Sequence, residues 1–337
     1  MTAPTDDRMR FGLSGSAGGL DSAGTSPVRH APLVERLGFD CMWFNEEHFE
    51  HSLTSGARQV MSSIPLATAV ATATTTLRVG FSVILVPLHQ PLRLAEEIAT
   101  LDVLSGGRVN FGISRAQNTR YAQAFGYDLA TGPTLAQCLD DILGWWAGTP
   151  LTIEGEEHVV TPNLVQRPHP PVFVAVYSEE TIAWAAARGY AIMQHGIQSP
   201  ASVDRCLRSY AGHGGDVSQV PVGRFCYVSE SDAQARREVR DVVEKQARRL
   251  HDIGIWHKRR GEVMTEADLE PERFYHETAI VGGPETVAAR IADLRDTYGV
   301  RYVNLLSSFF GFLPEDLLLR SLELFSAEVA PRLGGGR

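Results

Sequence analysis

Leu101-Asp102-Val103-Leu104-Ser105-Gly106-Gly107-Arg108-Val109-Asn110-Phe111-Gly112-Ile113-Ser114-Arg115 passes from helix to strand within a few residues. The helical run that begins near residue 91 ends at the two glycines, which accept the left-handed backbone that stops a helix. Residues 109–114 have the β-branched and aromatic content of a strand, and Arg115 emerges at its C-terminal end. The same change of period recurs outward from this stretch in both directions. Short β-type runs fall at 10–14, 41–45, 78–84, 109–114, 172–177, 191–195, 223–228 and 302–307. Helical runs separate them near 27–37, 58–75, 91–104, 134–147, 179–188, 200–212, 232–253 and 284–298, and a last one near 314–330 closes the chain. Eight strands, each followed by a helix, predict an α/β fold of the (β/α)8 barrel type rather than an open doubly wound sheet.

A barrel of this kind holds all 337 residues in one domain. The reading is a disordered N-terminus at 1–8 and one domain over 9–333, with insertions at about 148–170 and 254–282. The first insertion, rich in Pro, Gly and Glu, reads as a short hairpin. The second has no clear period and is long enough to be functional. Apolar residues make up 44% and charged residues 21%, near the roughly 45–50% and about 25% of ordinary globular chains, which excludes a disordered or fibrous protein. A net charge of −9 repels a phosphate backbone, so nucleic acid is not an expected partner. No apolar run approaches a membrane span and residues 1–10 lack a secretory h-region, so no membrane partner and a cytoplasmic location are expected. Cys41, Cys138, Cys206 and Cys226 are widely spaced and read as buried free thiols. The Gly-rich run from Gly12 to Gly24 has neither phosphate-loop spacing.

Chemistry in such a barrel sits where strands end in loops, at the C-terminal face. The second strand runs into Trp43-Phe44-Asn45-Glu46-Glu47-His48-Phe49-Glu50-His51, which brings carboxylates and imidazoles to that mouth. Glu46 or His48 can exchange protons there, or can satisfy loop backbone groups. No metal is expected, because consecutive strand residues point to opposite faces and H-E-x-x-H is absent. Arg115 ends the fourth strand, where a guanidinium can grip a phosphate or form a surface ion pair. Tyr177-Ser178-Glu179-Glu180-Thr181 follows the fifth strand, and Ser178 suits a helix N-cap whose free N–H groups also bind anions. Pocket-wall candidates are Phe11, Phe44, Phe81, Tyr121, Tyr177 and His195.

Taken in order, several blocks resemble the bacterial luciferase-like flavin monooxygenases, TIM-barrel enzymes. The blocks are Gly38-Phe39-Asp40, Trp43, Glu46-Glu47-His48-Phe49, Val86-Pro87-Leu88-His89-Gln90-Pro91-Leu92-Arg93-Leu94-Ala95-Glu96-Glu97, Leu104-Ser105-Gly106-Gly107-Arg108 through Gly112 to Arg115, Pro171-Val172-Phe173-Val174 through Ser178, Trp184-Ala185-Ala186-Ala187-Arg188-Gly189, and Val281-Gly282-Gly283-Pro284-Glu285. The resemblance implies reduced FMN, bound by its phosphate at Arg115 with help from Ser178 and Thr181. It also implies a non-prolyl cis peptide at Ser82-Val83 beneath the flavin ring, with Tyr177 nearby. Dioxygen would be activated as a flavin C4a-hydroperoxide to oxygenate a small organic substrate, with reduced flavin delivered by a separate flavin reductase. The light-emitting subunit has two consecutive His after the strand-2 Glu; here the first place is Glu47, leaving His48. His48, Glu46 and Glu47 are thus the catalytic candidates, with His48 favoured. Two other readings accompany this one: dependence on the deazaflavin F420, and a non-catalytic partner subunit. The resemblance also implies a homodimer through the second and third helices, where residues 62–73 carry no charge. The excursion at 254–282, with Trp256 and His257 beside Lys258-Arg259-Arg260, is expected to act as a lid.

Overall fold

Strand pairing is parallel throughout the main sheet, as short apolar strands joined by crossover helices require. The computed structural model describes residues 8–14, 26–49, 61–115, 119–194, 196–252 and 271–335. Its strands are β1 (Arg10–Ser14), β2 (Cys41–Phe44), β3 (Arg78–Phe81), β4 (Ile84–Leu85), β5 (Val109–Ser114), β6 (Leu151–Ile153), β7 (Glu156–His158), β8 (Val172–Ala175), β9 (Ala191–Met193), β10 (Pro221–Val228), β11 (Ala279–Gly282) and β12 (Tyr302–Leu305). The helices are α1 (Ser26–Arg36), α2 (Ser63–Thr72), α3 (Pro91–Ser105), α4 (Thr119–Ala124), α5 (Leu135–Trp146), α6 (Glu179–Ala187), α7 (Pro200–Gly212), α8 (Asp232–Asp252), α9 (Pro271–Glu277), α10 (Pro284–Tyr298) and α11 (Glu315–Leu324).

The ring runs β10-β12-β1-β2-β3-β5-β8-β9. It closes where Gln194, just past β9, bridges to Val222, and the Gly223 N–H donates to the Gln194 carbonyl at 3.0 Å. This is the expected eight-stranded barrel. β11 adds to the far half of β10, with Phe225 opposite Ala279 and Val228 opposite Gly282. β6 and β7 form an antiparallel hairpin turned by Glu154 and Gly155, both at positive φ.

Alternation along the strands separates two cores. Outward residues such as Phe11, Phe44, Phe81 and Val303 pack under the helices, where Phe11 meets Phe325 edge-on at 5.0 Å. Inward residues form a smaller cluster of Cys41, Trp43, Phe173, Met193 and Tyr302. Trp43 fills the barrel centre because the facing positions are Gly12 and Gly80; a Cβ on either would lie 2.6 or 2.5 Å from the indole. The Trp43 indole N–H donates to the Tyr302 hydroxyl at 3.1 Å, and that hydroxyl donates to Asp40 Oδ2 at 2.9 Å. All four cysteines are buried and free.

The structure corrects several expectations. The third strand does not run unbroken to Ile84: it stops at Phe81, the Ser82–Val83 peptide is cis as the resemblance implies, and β4 resumes pairing against Ile113 and Ser114. Strands 5 and 6 end earlier, at Ala175 and Met193, and strand 7 begins earlier, at Pro221. The last helix is α11 followed by a wider π turn at Phe325–Val329. Two short helices, α4 and α9, had no legible period at six and seven residues. Of the 254–282 excursion, 271–277 is helix α9 and 279–282 is β11; residues 253–270, with the expected lid, lie outside the described residues. So do Glu50, His51 and His195, and most of the N-terminus.

Candidate active site

A cavity opens at the C-terminal ends of the barrel strands. Ser14 ends β1, Asn45 and Glu47 follow β2, Ser82 and Val83 follow β3, Tyr177 follows β8, Gln198 follows β9, and Leu306 and Phe310 follow β12; all line it, with Asn304 of β12. Phe309 and Phe310 hold positive φ (50° and 55°), uncommon for bulky residues. Phe225 holds both rings, at 5.3 and 5.5 Å between centroids.

Glu46 ties the segment after β2 to the cis bulge. Its backbone N–H donates to the Val83 carbonyl at 3.2 Å, and its Oε2 accepts from the Leu85 N–H at 2.7 Å. Its Oε1 pairs with His48 Nε2 at 2.7 Å and His89 Nε2 at 2.9 Å. Burial opposes its charge, but the hydrogen bonds from His48 and His89 and that from Leu85 prevail and lower its pKa to about 2. The same pairing raises the His89 pKa against the effect of burial. Glu46 is therefore a clamp beneath the mouth. The residue that faces the cavity is Glu47, whose Oε1 accepts from Asn45 Nδ2 at 2.7 Å. His48 instead packs on Phe125 at 4.4 Å and edge-on to Tyr121 at 5.2 Å.

Arg115 is exposed immediately past β5. Past the adjoining β8, Ser178 caps α6: its Oγ accepts from the Thr181 N–H at 3.4 Å and lies 3.0 Å from Thr181 Oγ1. The outward alternation described above removes Phe11, Phe44 and Phe81 from the pocket wall, because an odd–even shift along a strand moves a side chain to the helix side. Tyr177 does line the cavity and is half exposed. Sequence reasoning missed Asn45, His89, Gln198 and Asn304 as site residues. His89 lay within a quoted block, but its contact with Glu46 spans 43 positions.

Among the described residues no three His, Cys, Asp or Glu side chains converge as a metal site, and no helix is long and apolar enough to cross a membrane. The polar character of the mouth fits a flavin. Arg115 supplies a cation just past β5, and the buried amide oxygens of Gln198 and Asn304, which line the cavity, have no hydrogen-bond partner among the described residues.

Comparison with known proteins agrees with this geometry. The alkanal monooxygenase alpha chain of the Kryptophanaron alfredi symbiont is 26% identical over 335 residues, covering 89% of this chain and 90% of that protein. The oxygenating constituent of 3,6-diketocamphane monooxygenase from Pseudomonas putida, a type II Baeyer-Villiger monooxygenase solved with FMN, superposes with a TM-score of 0.79 at 18% identity, over 97% of this chain and 99% of that one. The coenzyme F420 dependent tetrahydromethanopterin reductase of Methanopyrus kandleri superposes with a TM-score of 0.67 at 16% identity, over 97% and 99%. Residues 9–301 match the family model for luciferase-like monooxygenases, and this chain belongs to that enzyme family.

Proposed function

We propose that this chain is a monooxygenase that uses reduced FMN and dioxygen to oxygenate a small organic substrate. The observation that carries the reading is the mouth itself: the cis Ser82–Val83 bulge, clamped by Glu46, lies beside Glu47, with Arg115 and the Ser178 cap on adjoining strand ends. Reduced FMN supplies the electrons that activate dioxygen. The Arg115 guanidinium would hold its phosphate, and the Ser178 and Thr181 hydroxyls would add hydrogen bonds to it. Ser82, Val83 and Tyr177 support the ring. Glu47, held by the Asn45 amide, takes up or returns a proton at its carboxylate on the cavity side, while His48 acts at one remove by holding Glu46. Val83, Met193, Leu306 and Phe310 give the cavity apolar walls that limit water. In this reading a separate flavin reductase delivers the cofactor.

The test is stopped-flow mixing of the purified chain with reduced FMN and dioxygen, followed by oxygen uptake with candidate substrates. Binding of reduced FMN and an altered rate of its reaction with dioxygen are expected. Free-solution oxidation kinetics, combined with hydride transfer from reduced F420 and no oxygen uptake, would overturn the proposal. Turnover by the isolated chain excludes a non-catalytic partner subunit.

A further inference from the structure

Two buried primary amides at the barrel mouth have oxygens with nothing to bind. Asn304 is 6% exposed and Gln198 8% exposed, and among the described residues neither Asn304 Oδ1 nor Gln198 Oε1 has a hydrogen-bond partner. Both residues line the cavity. Asn304 points inward: along β12 it shares a face with Tyr302 of the barrel interior, and its Oδ1 lies 3.3 Å from where a Cβ on Gly12 would stand. Gln194 also borders the cavity, but its side chain alternates with inward Met193 and turns toward α7, beside the Cys206 thiol.

Buried carbonyl oxygens are rarely left without a donor, and one in a cavity wall calls for a donor from whatever fills the cavity, water or ligand. A primary amide sets a donor beside an acceptor, so its complement is an edge that carries an N–H next to C=O groups. An alkyl chain or a terpene skeleton has no such edge. The pyrimidine side of an isoalloxazine has one: an imide N3–H between two carbonyls. We propose that Asn304 and Gln198 read this edge, and thereby set how the flavin ring lies over the Ser82–Val83 bulge. The inference rests on the flavin reading above and adds two positioning residues from other strands than those that end in Arg115 and Ser178, Asn304 on β12 and Gln198 on the turn before α7.

The experiment compares anaerobic titrations of reduced FMN, reduced N3-methyl-FMN and reduced riboflavin against the wild type, Asn304→Leu and Gln198→Met. Wild type is expected to bind FMN roughly tenfold or more tighter than its N3-methyl analogue, the value of one buried hydrogen bond. The edge has a single N–H, so each substitution should weaken FMN by about tenfold, but only in the variant that removes the oxygen accepting from N3–H should N3-methyl-FMN stay within about twofold and the discrimination collapse; the other amide donates to a flanking carbonyl, and its loss weakens both flavins alike. The preference for FMN over riboflavin should persist, because Arg115 is untouched. Thermal melting of the ligand-free Asn304→Leu protein should not fall, since an unpaired polar atom is removed. Equal losses for FMN and N3-methyl-FMN in both variants, so that neither collapses the discrimination, would overturn the assignment while leaving flavin dependence intact. If wild type binds none of the three flavins, the flavin reading falls and this one with it. Gln198→Met, placed in a turn, keeps the test open should Asn304→Leu fail to fold.

Discussion

Arg115 and Glu46 act through charge, but in different surroundings. Arg115 is exposed, so its value lies in what it holds. Arg115→Ala should weaken reduced FMN by roughly tenfold to a hundredfold and riboflavin hardly at all, as loss of a charge-assisted contact implies. Equal losses in titrations of the two ligands would show that it does not meet the phosphate. Glu46 is buried and serves the scaffold. Its pKa of about 2, against an ordinary 4.5, gives stability that is present above pH 4.5 and lost as the pH falls toward 2. The raised pKa of His89 gives stability that is present below its ordinary 6.5 and lost as the pH rises through the higher value. The pair is therefore strongest between pH 4.5 and 6.5. Glu46→Gln should cost on the order of 1.5–3 kcal/mol in that window, with the gap narrowing above neutrality; denaturant melts at several pH values measure it. Glu46 and its neighbours were legible as site residues from their place after a strand. Their division of labour was not, because adjacent residues point to opposite sides and the decisive partner, His89, comes from another strand-to-helix connection.

At the scale of elements, the opening Gly106-Gly107 turn and the strand after it lie where the residues place them: both glycines have positive φ, 66° and 84°. The third strand was misread because Phe81 to Ile84 is uniformly strand-like in composition, and nothing in side-chain pattern marks a cis bond. Trp43 of β2 lies in register with Gly80 of the adjoining β3, so Gly80→Ala puts a methyl group 2.5 Å from the indole. It should destabilise the barrel by about 1–3 kcal/mol, the cost of overpacking, and a melting temperature equal to wild type would contradict this fit. On the outside, α2 and α3 border a groove lined by Ile64, Pro65, Ala69 and Leu104, and Leu104 is 53% exposed. An uncharged helix beside such a groove is suited to a second copy of the chain. Light scattering at micromolar concentration should give the mass of a dimer, and Ala69→Arg should halve it; a monomeric wild type would refute the interface.

The whole molecule was the most legible level. Eight buried parallel strands each carry a local apolar signature, and their count predicts closure whatever the exact ends. What faces the mouth was less so, because period-2 alternation inverts with a single-residue error in register. That is why Phe11, Phe44 and Phe81 were assigned to the pocket, while Asn304, sharing its face with Tyr302, was overlooked. The pairing of β1 with β12 has a further meaning during synthesis. Arg10 lies opposite Tyr302 and Leu13 opposite Leu305, so the seam joins segments that leave the ribosome far apart in time. At about 5–20 residues per second the ribosome needs roughly 15–60 s to travel between them. Throughout that interval β1 has an unpaired edge on the nascent chain, and such edges recruit other strands. Chaperone occupancy on ribosome-bound chains should accordingly persist until β12 has cleared the exit tunnel.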